Sequence, residues 1–278
     1  MNKGCLLTIV LMIPFLAFGT ENNNSSFQDC SYLSFGGGIS LISVNDQMNT
    51  CLPYTGGCTG TYIEGVFSLG HSILQIKNVY AFGLLLPYRS SLPSTNSVNS
   101  SKEKLRISYL WNIYEIYAED FYLFAGPSIG VNLGVRTNNG ELANSYLTYE
   151  GAASLSIAAK AIKYFNLDHE DKSNPKRFKL EANFVTPLLS KVFTPGYTGI
   201  AADGLSENLG FVDFHSNYTG GIHNYTDIET SLALTYYLKN RNGFEIGYYC
   251  NYVRTKPEFN SVKTSLSLLE MKFIYNIK

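Results

Sequence analysis

From Phe121 onward, sixteen residues alternate between two unlike sets. The odd positions read Phe121, Leu123, Ala125, Pro127, Ile129, Val131, Leu133 and Val135. The even positions read Tyr122, Phe124, Gly126, Ser128, Gly130, Asn132, Gly134 and Arg136. A period of two puts the sets on opposite faces of one extended strand, whereas a helix would scatter both around its circumference. Pro127 cannot donate a ladder hydrogen bond, so the strand needs a bulge or a missing bond there. Few folds accept so long a strand, because strands in soluble sheets usually run to about five or six residues.

The pattern recurs along the chain. Leu105, Ile107, Tyr109, Trp111 and Ile113 alternate with Arg106, Ser108 and Asn112; Leu110 breaks the polar set. Phe178, Leu180, Ala182 and Phe184 oppose Lys179, Glu181 and Asn183, and Phe244, Ile246, Tyr248 and Tyr252 oppose Glu245, Gly247 and Asn251. Ten strands are predicted, at about 31–44, 60–70, 78–87, 103–117, 121–136, 146–164, 176–190, 226–239, 243–256 and 262–277, within a range of eight to twelve. Between them, long or turn-rich connections (45–59, 88–102, 137–145, 191–225, 257–261) interleave with shorter ones (71–77, 118–120, 165–175, 240–242). An even strand count with alternating long and short connections, and both termini on the short side, is the layout of a transmembrane barrel.

Two architectures produce this alternation. In a β-sandwich or lipocalin-like barrel the apolar face points inward; in a membrane barrel it points to lipid. Strand length favours the membrane, since 9–11 tilted residues already cross a bilayer. So does the second face, which is mainly small, neutral or glycine. Charged residues are only 15% of the chain, low for a large soluble surface. In lipid every backbone N–H must pair, so the sheet closes on itself. Tyr80, Tyr88, Trp111, Tyr117, Phe121, Tyr146, Tyr164, Tyr236 and Tyr248 are candidates for headgroup-level aromatic girdles.

The stretch Tyr122-Leu-Phe-Ala-Gly-Pro-Ser-Ile-Gly-Val-Asn-Leu-Gly134 resembles a strand common in small outer-membrane β-barrel proteins of Gram-negative bacteria, especially Bacteroidetes. The opening Tyr32-Leu-Ser-Phe-Gly-Gly-Gly-Ile39 is similar in style. The resemblance implies a closed antiparallel barrel in the outer membrane, with outer-membrane lipid as its surroundings. The family is functionally mixed, so it implies no activity. Members often end on an aromatic residue; here the aromatics of Phe273-Ile-Tyr-Asn-Ile-Lys278 lie inward of the end.

The ends agree with export. Lys3, an apolar stretch from Cys5 to Phe18 and the small-x-small Ala17-Phe18-Gly19 predict a signal peptide over 1–19. Residues 20–30 then form a short periplasmic segment and 31–278 the barrel. A net charge of −1 gives no reason to expect nucleic acid.

Candidate functional residues follow from this topology. Glu64, Arg106, Glu150 and Glu229 are placed in the lumen toward the outer mouth; Lys160, Arg177, Lys179, Glu181, Glu245 and Lys272 toward the periplasmic end. Ten strands enclose a lumen little wider than the one that side chains fill in eight-stranded barrels. Mixed charges there either pair and plug it or line a narrow solute path. Cys51 and Cys58, in CLPYTGGC, are the candidate disulfide; closing so short a loop contributes roughly 2–3 kcal/mol. Free thiols are the alternative, and with no histidine nearby the pair is a poor metal site. Asp213 and His215 in Val-Asp-Phe-His resemble one half of the omptin protease constellation, in which carboxylate and imidazole activate water; the opposing acidic pair is absent as a motif. No P-loop, GxGxxG unit, HExxH or EF-hand loop is present, and no cofactor is expected. Loop 191–225 carries Tyr197, Phe211, Phe214 and Tyr218, aromatic anchors suited to an envelope partner or surface ligand. The same loop can instead fold over the mouth and close it.

Overall fold

The computed structural model describes residues 31–46, 53–88, 97–116, 120–138, 147–166, 177–194, 216–221, 223–256 and 261–277. The expected signal peptide and N-terminal segment lie outside these residues. Eleven strands follow in order: β1 Ser31–Asp46, β2 Pro53–Leu69, β3 Ser72–Pro87, β4 Val98–Ile116, β5 Phe121–Asn138, β6 Leu147–Phe165, β7 Phe178–Thr194, β8 Ser216–Gly220, β9 Tyr225–Tyr237, β10 Gly243–Thr255 and β11 Val262–Ile277. All pairings are antiparallel. β1 closes on β11 and β7 pairs with both β6 and β9, so ten strands form a ring and β8 is a short addition beside β7.

Several strands outrun their predicted ends on the long-loop side. β2 begins at Pro53 and β4 at Val98, inside the stretches 45–59 and 88–102 predicted as loops. The predicted loop 191–225 contains the end of β7, all of β8 and the start of β9. On the other side the turns are tight. β3 starts at Ser72 rather than near 78 and follows Gly70, whose φ of +67° suits a residue without Cβ. Leu238 to Asn242 closes the β9–β10 hairpin: the Leu238 amide donates to the Asn242 carbonyl (2.7 Å) and the Arg241 amide to the Leu238 carbonyl (2.9 Å).

The two faces separate as a two-residue period requires. Ile39, Ile63, Ile129, Leu133, Leu155, Ile246 and Met271 point outward and are exposed, while Ser34, Ser128, Asn132, Asn251 and most strand charges point inward and are buried. A water-facing exterior of this kind would be a continuous oily patch far beyond the few hundred Å² usual for soluble proteins. Around the short-turn end, Phe165, Phe178, Tyr236, Phe244, Phe273 and Phe35 are register partners in succession on β6, β7, β9, β10, β11 and β1. Their ring centroids lie 5.2–5.8 Å apart in the four contacts Phe165–Phe178, Phe178–Tyr236, Phe244–Phe273 and Phe35–Phe273. Such a belt matches the girdle of a membrane barrel; of its members, only Tyr236 was among the girdle residues named from sequence.

The wall is broken between β7 and β9. β7 and β9 pair from Phe178/Tyr236 up to Val185/Glu229 and no further. Just below this ladder the Tyr237 amide donates to the Arg177 carbonyl at 2.7 Å, so odd residues of β7 turn their amides toward β9. Pro187 would be the next donor in that series, and proline has no N–H. Beyond it β9 pairs with β10 alone, the Tyr225 amide donates to the Gly221 carbonyl (2.9 Å), and β8 resumes pairing with β7 at Ser190. On the β6 side a register shift beside Leu155 leaves Leu188 without a register partner, and both Leu188 and Leu189 face outward.

Candidate functional site: the lumen

Among the described residues, an ion-pair-forming or buried set of eight cations and eight carboxylates points into the barrel; all but Glu150 are buried, and its side chain is 14% exposed. Their ion pairs lie at two levels, one toward each end of the barrel. In the long-loop half, Glu229 on β9 is 2.7 Å from Lys77 Nζ on β3 and 3.1 Å from both Lys104 Nζ and Arg106 Nε on β4. Its neighbour Asp227 is 2.6 Å from Lys104 and accepts from Asn251 Nδ2 at 2.6 Å. Arg136 donates to Asp46 at 2.8 Å and lies 3.6 Å from Glu150. Lys102 also lies in this half.

In the short-turn half, Glu181 bridges Lys160 (2.8 Å) and Lys179 (2.9 Å), and Lys272 bridges Glu245 (2.7 Å) and Glu270 (2.9 Å). Glu64 accepts from Gln75, Tyr62 and Ser34 and stands 4.0 Å from Lys160. Two tyrosines cap the ammonium groups through their faces: Lys272 lies 3.6 Å from the Tyr62 centroid and Lys179 4.8 Å from that of Tyr32. Between the halves remains a cavity of about 10 Å³, lined in part by Lys77, Arg106, Asn183 and Glu229, room for roughly one water molecule.

Of the lumen charges named from sequence, Arg106, Glu150, Lys160, Lys179, Glu181, Glu229, Glu245 and Lys272 sit in the half in which they were placed. Two do not. Glu64 lies in the short-turn half, because β2 extends up to Pro53 and leaves Glu64 nearer its lower end. Arg177 is not in the lumen: it precedes β7, is exposed, and its amide donates to Asn166 Oδ1 at 2.8 Å. Asp46, Lys77, Lys102, Lys104, Arg136, Asp227 and Glu270 were not named. Strict alternation extended through Asp227, Glu229 and Ser231, or back from Arg106 to Lys104 and Lys102, would have found three of them, and Arg136 already stood in the even set of β5. Lys77 and Asp46 fell in stretches predicted as connections.

Cys58 was expected in a loop but is an inward-facing strand residue opposite Ser40 and Gly83. Its thiol is free and lies 3.6 Å from the Gly56 carbonyl oxygen. A Cβ at position 83 would occupy the space of the Cys58 side chain, so glycine fits there. Cys51, Tyr197, Phe211, Asp213, Phe214 and His215 lie outside the described residues. Tyr218 belongs to β8, opposite Val192. Among the described residues no group of three His, Cys, Asp or Glu side chains is placed to hold a metal ion.

Comparison with known proteins finds likeness in structure alone. No protein-family model and no curated protein matches the sequence. The outer-membrane protease OmpT from Escherichia coli is similar over 92% of this chain and 99% of its own, with a TM-score of 0.50 and 8% identity. The transport unit of the Escherichia coli autotransporter AIDA-I matches over 99% and 98% (TM-score 0.44, 12% identity), and Ail of Yersinia pestis over 90% and 100% (TM-score 0.35, 9% identity). The closed sheet and the likeness to OmpT give the chain the fold of a bacterial outer-membrane β-barrel, with ten closed antiparallel strands and one extra among the described residues.

Proposed function

We propose that this chain is an outer-membrane β-barrel protein of a Gram-negative bacterium, of the Bacteroidetes type that residues 122–134 resemble, with an envelope role that is neither catalytic nor conductive. One observation carries the reading: an oily, aromatic-belted outer wall encloses a lumen filled by ion-paired side chains. Hydrocarbon solvates the first, and the second leaves no continuous column of water. A barrel built this way is a rigid mount. Its work falls to the long-loop end, above all the stretch between β7 and β8 with Tyr197, Phe211 and Phe214, together with Tyr218 on β8, which would meet an envelope protein or surface ligand. Envelope structure, surface recognition and membership of an envelope complex all use the same mount.

Conductance tests this directly. Purified protein in planar lipid bilayers is expected to give no steady current above that of the bare bilayer. Repeated openings of constant size would replace the reading with a narrow solute channel.

The shared fold with an outer-membrane protease motivates one further check. His215→Ala is expected to leave the purified protein's action on peptide and lipid substrates at the same background as the wild type. Cleavage present in the wild type and lost in the variant would make the chain a hydrolase.

A further inference from the structure

We infer that the long-loop half of the lumen holds a binding site for a small phosphate-like anion, with Lys102 as its principal ligand. The starting point is an unpaired cation. Toward the long-loop end the lumen carries Lys102, Lys104, Arg106 and Arg136 with Asp46, Glu150, Asp227 and Glu229, and Lys77 reaches Glu229 from nearer the middle. Each carboxylate already has a cation other than Lys102 within 4.0 Å: Asp46 and Glu150 have Arg136, Asp227 has Lys104 and Arg106, and Glu229 has Lys77, Lys104 and Arg106. Lys102 is the cation left over.

It is also fully enclosed. Lys102 is 4% exposed, and its Nζ has no hydrogen-bond partner. A buried ammonium without a counter-ion is among the costliest arrangements in a protein interior, and an orphaned buried group calls for an absent partner such as an ion. The register shows what surrounds it. The flanking strands set Ala81 and Gly134 beside Lys102, the smallest side chains available. The inward positions next along β4 and β5 carry Lys104 and Arg136. An anion against Lys102 would thus lie beside two further cations, Lys104 and Arg136, which also hold carboxylates. Glu150, folded over Gly134, is the competing carboxylate. In the opposite half Lys160, Lys179 and Lys272 each have a carboxylate oxygen at 2.7–2.9 Å. An anion is therefore favoured on the long-loop side alone.

The test uses the full chain purified in detergent and inorganic phosphate, titrated by calorimetry against sodium chloride of matched ionic strength. Saturable phosphate binding is expected in the wild type. Lys102→Met, which keeps the length of the chain without its charge, is expected to weaken it by roughly tenfold or more, the scale of one charge-assisted hydrogen bond. Lys102→Arg is expected to retain it. Glu150→Gln removes the competitor and is expected to tighten binding several-fold; this arm decides the matter if Lys102→Met does not fold. No saturable binding in the wild type, equal binding in Lys102→Met, or no change in Glu150→Gln would overturn the site and leave Lys102 as a partner for Glu150 alone.

Discussion

Glu229→Ala is expected to destabilise the folded barrel by about 3–5 kcal/mol, the cost of removing one side of a buried ion pair. Glu229 is buried, accepts from Lys77 Nζ and Arg106 Nε, and lies 3.1 Å from Lys104 Nζ. Without it, three cations crowd Asp227, which already serves Lys104 and Asn251. The penalty is the stranded positive charge more than the lost attraction, so Lys77→Met added to Glu229→Ala is expected to recover part of the loss. Glu229→Gln, which keeps shape and one acceptor, falls between. Urea unfolding of the protein in lipid vesicles measures all three. A loss below about 1 kcal/mol would mean that water reaches these groups and the lumen is open rather than plugged.

Ile129→Arg has the second largest expected effect, and its size depends on the solvent outside the barrel. Ile129 is 52% exposed near the middle of β5, opposite Ile107 and Leu155. On a water-facing surface the change would stay within about 0.5 kcal/mol. At a bilayer midplane it costs about 2–4 kcal/mol. The same substitution at Thr137, near the long-loop end of β5, is expected to cost much less, because depth sets the penalty. Folding yields and unfolding midpoints in vesicles distinguish the two positions. Equal, small effects at both would place the oily face against something other than hydrocarbon.

The strands were legible in sequence where they cross the apolar belt and illegible where they leave it. Phe121 to Val135 announces its two faces because lipid on one side and a packed lumen on the other impose opposite demands. Val98 to Glu103 continues β4 with outward Asn99, Ser101 and Glu103; above the bilayer both faces are polar, and no alternation marks the strand. β8, Ser-Asn-Tyr-Thr-Gly, is too short and polar to signal itself. Inward and outward sets could be assigned to the lumen charges one strand at a time, which is why Glu229 and Lys179 were recognised. Who meets whom was not readable. Glu229 finds Lys77 and Arg106 on strands more than 120 residues earlier, and that meeting depends on ring closure and on how far each strand is staggered against the next.

The missing rung at Pro187 changes how the cylinder bears load. A complete barrel is hooped by main-chain bonds at every level, and here one hoop is cut immediately above the Val185/Glu229 pair. At that level Asp227 and Glu229 reach across the bore to Lys77, Lys104 and Arg106 on the far wall. The charges act as spokes where a hoop has been lost. Salt or a competing ion that slackens the spokes would therefore be felt first along this one seam, while the remaining circumference keeps its shape.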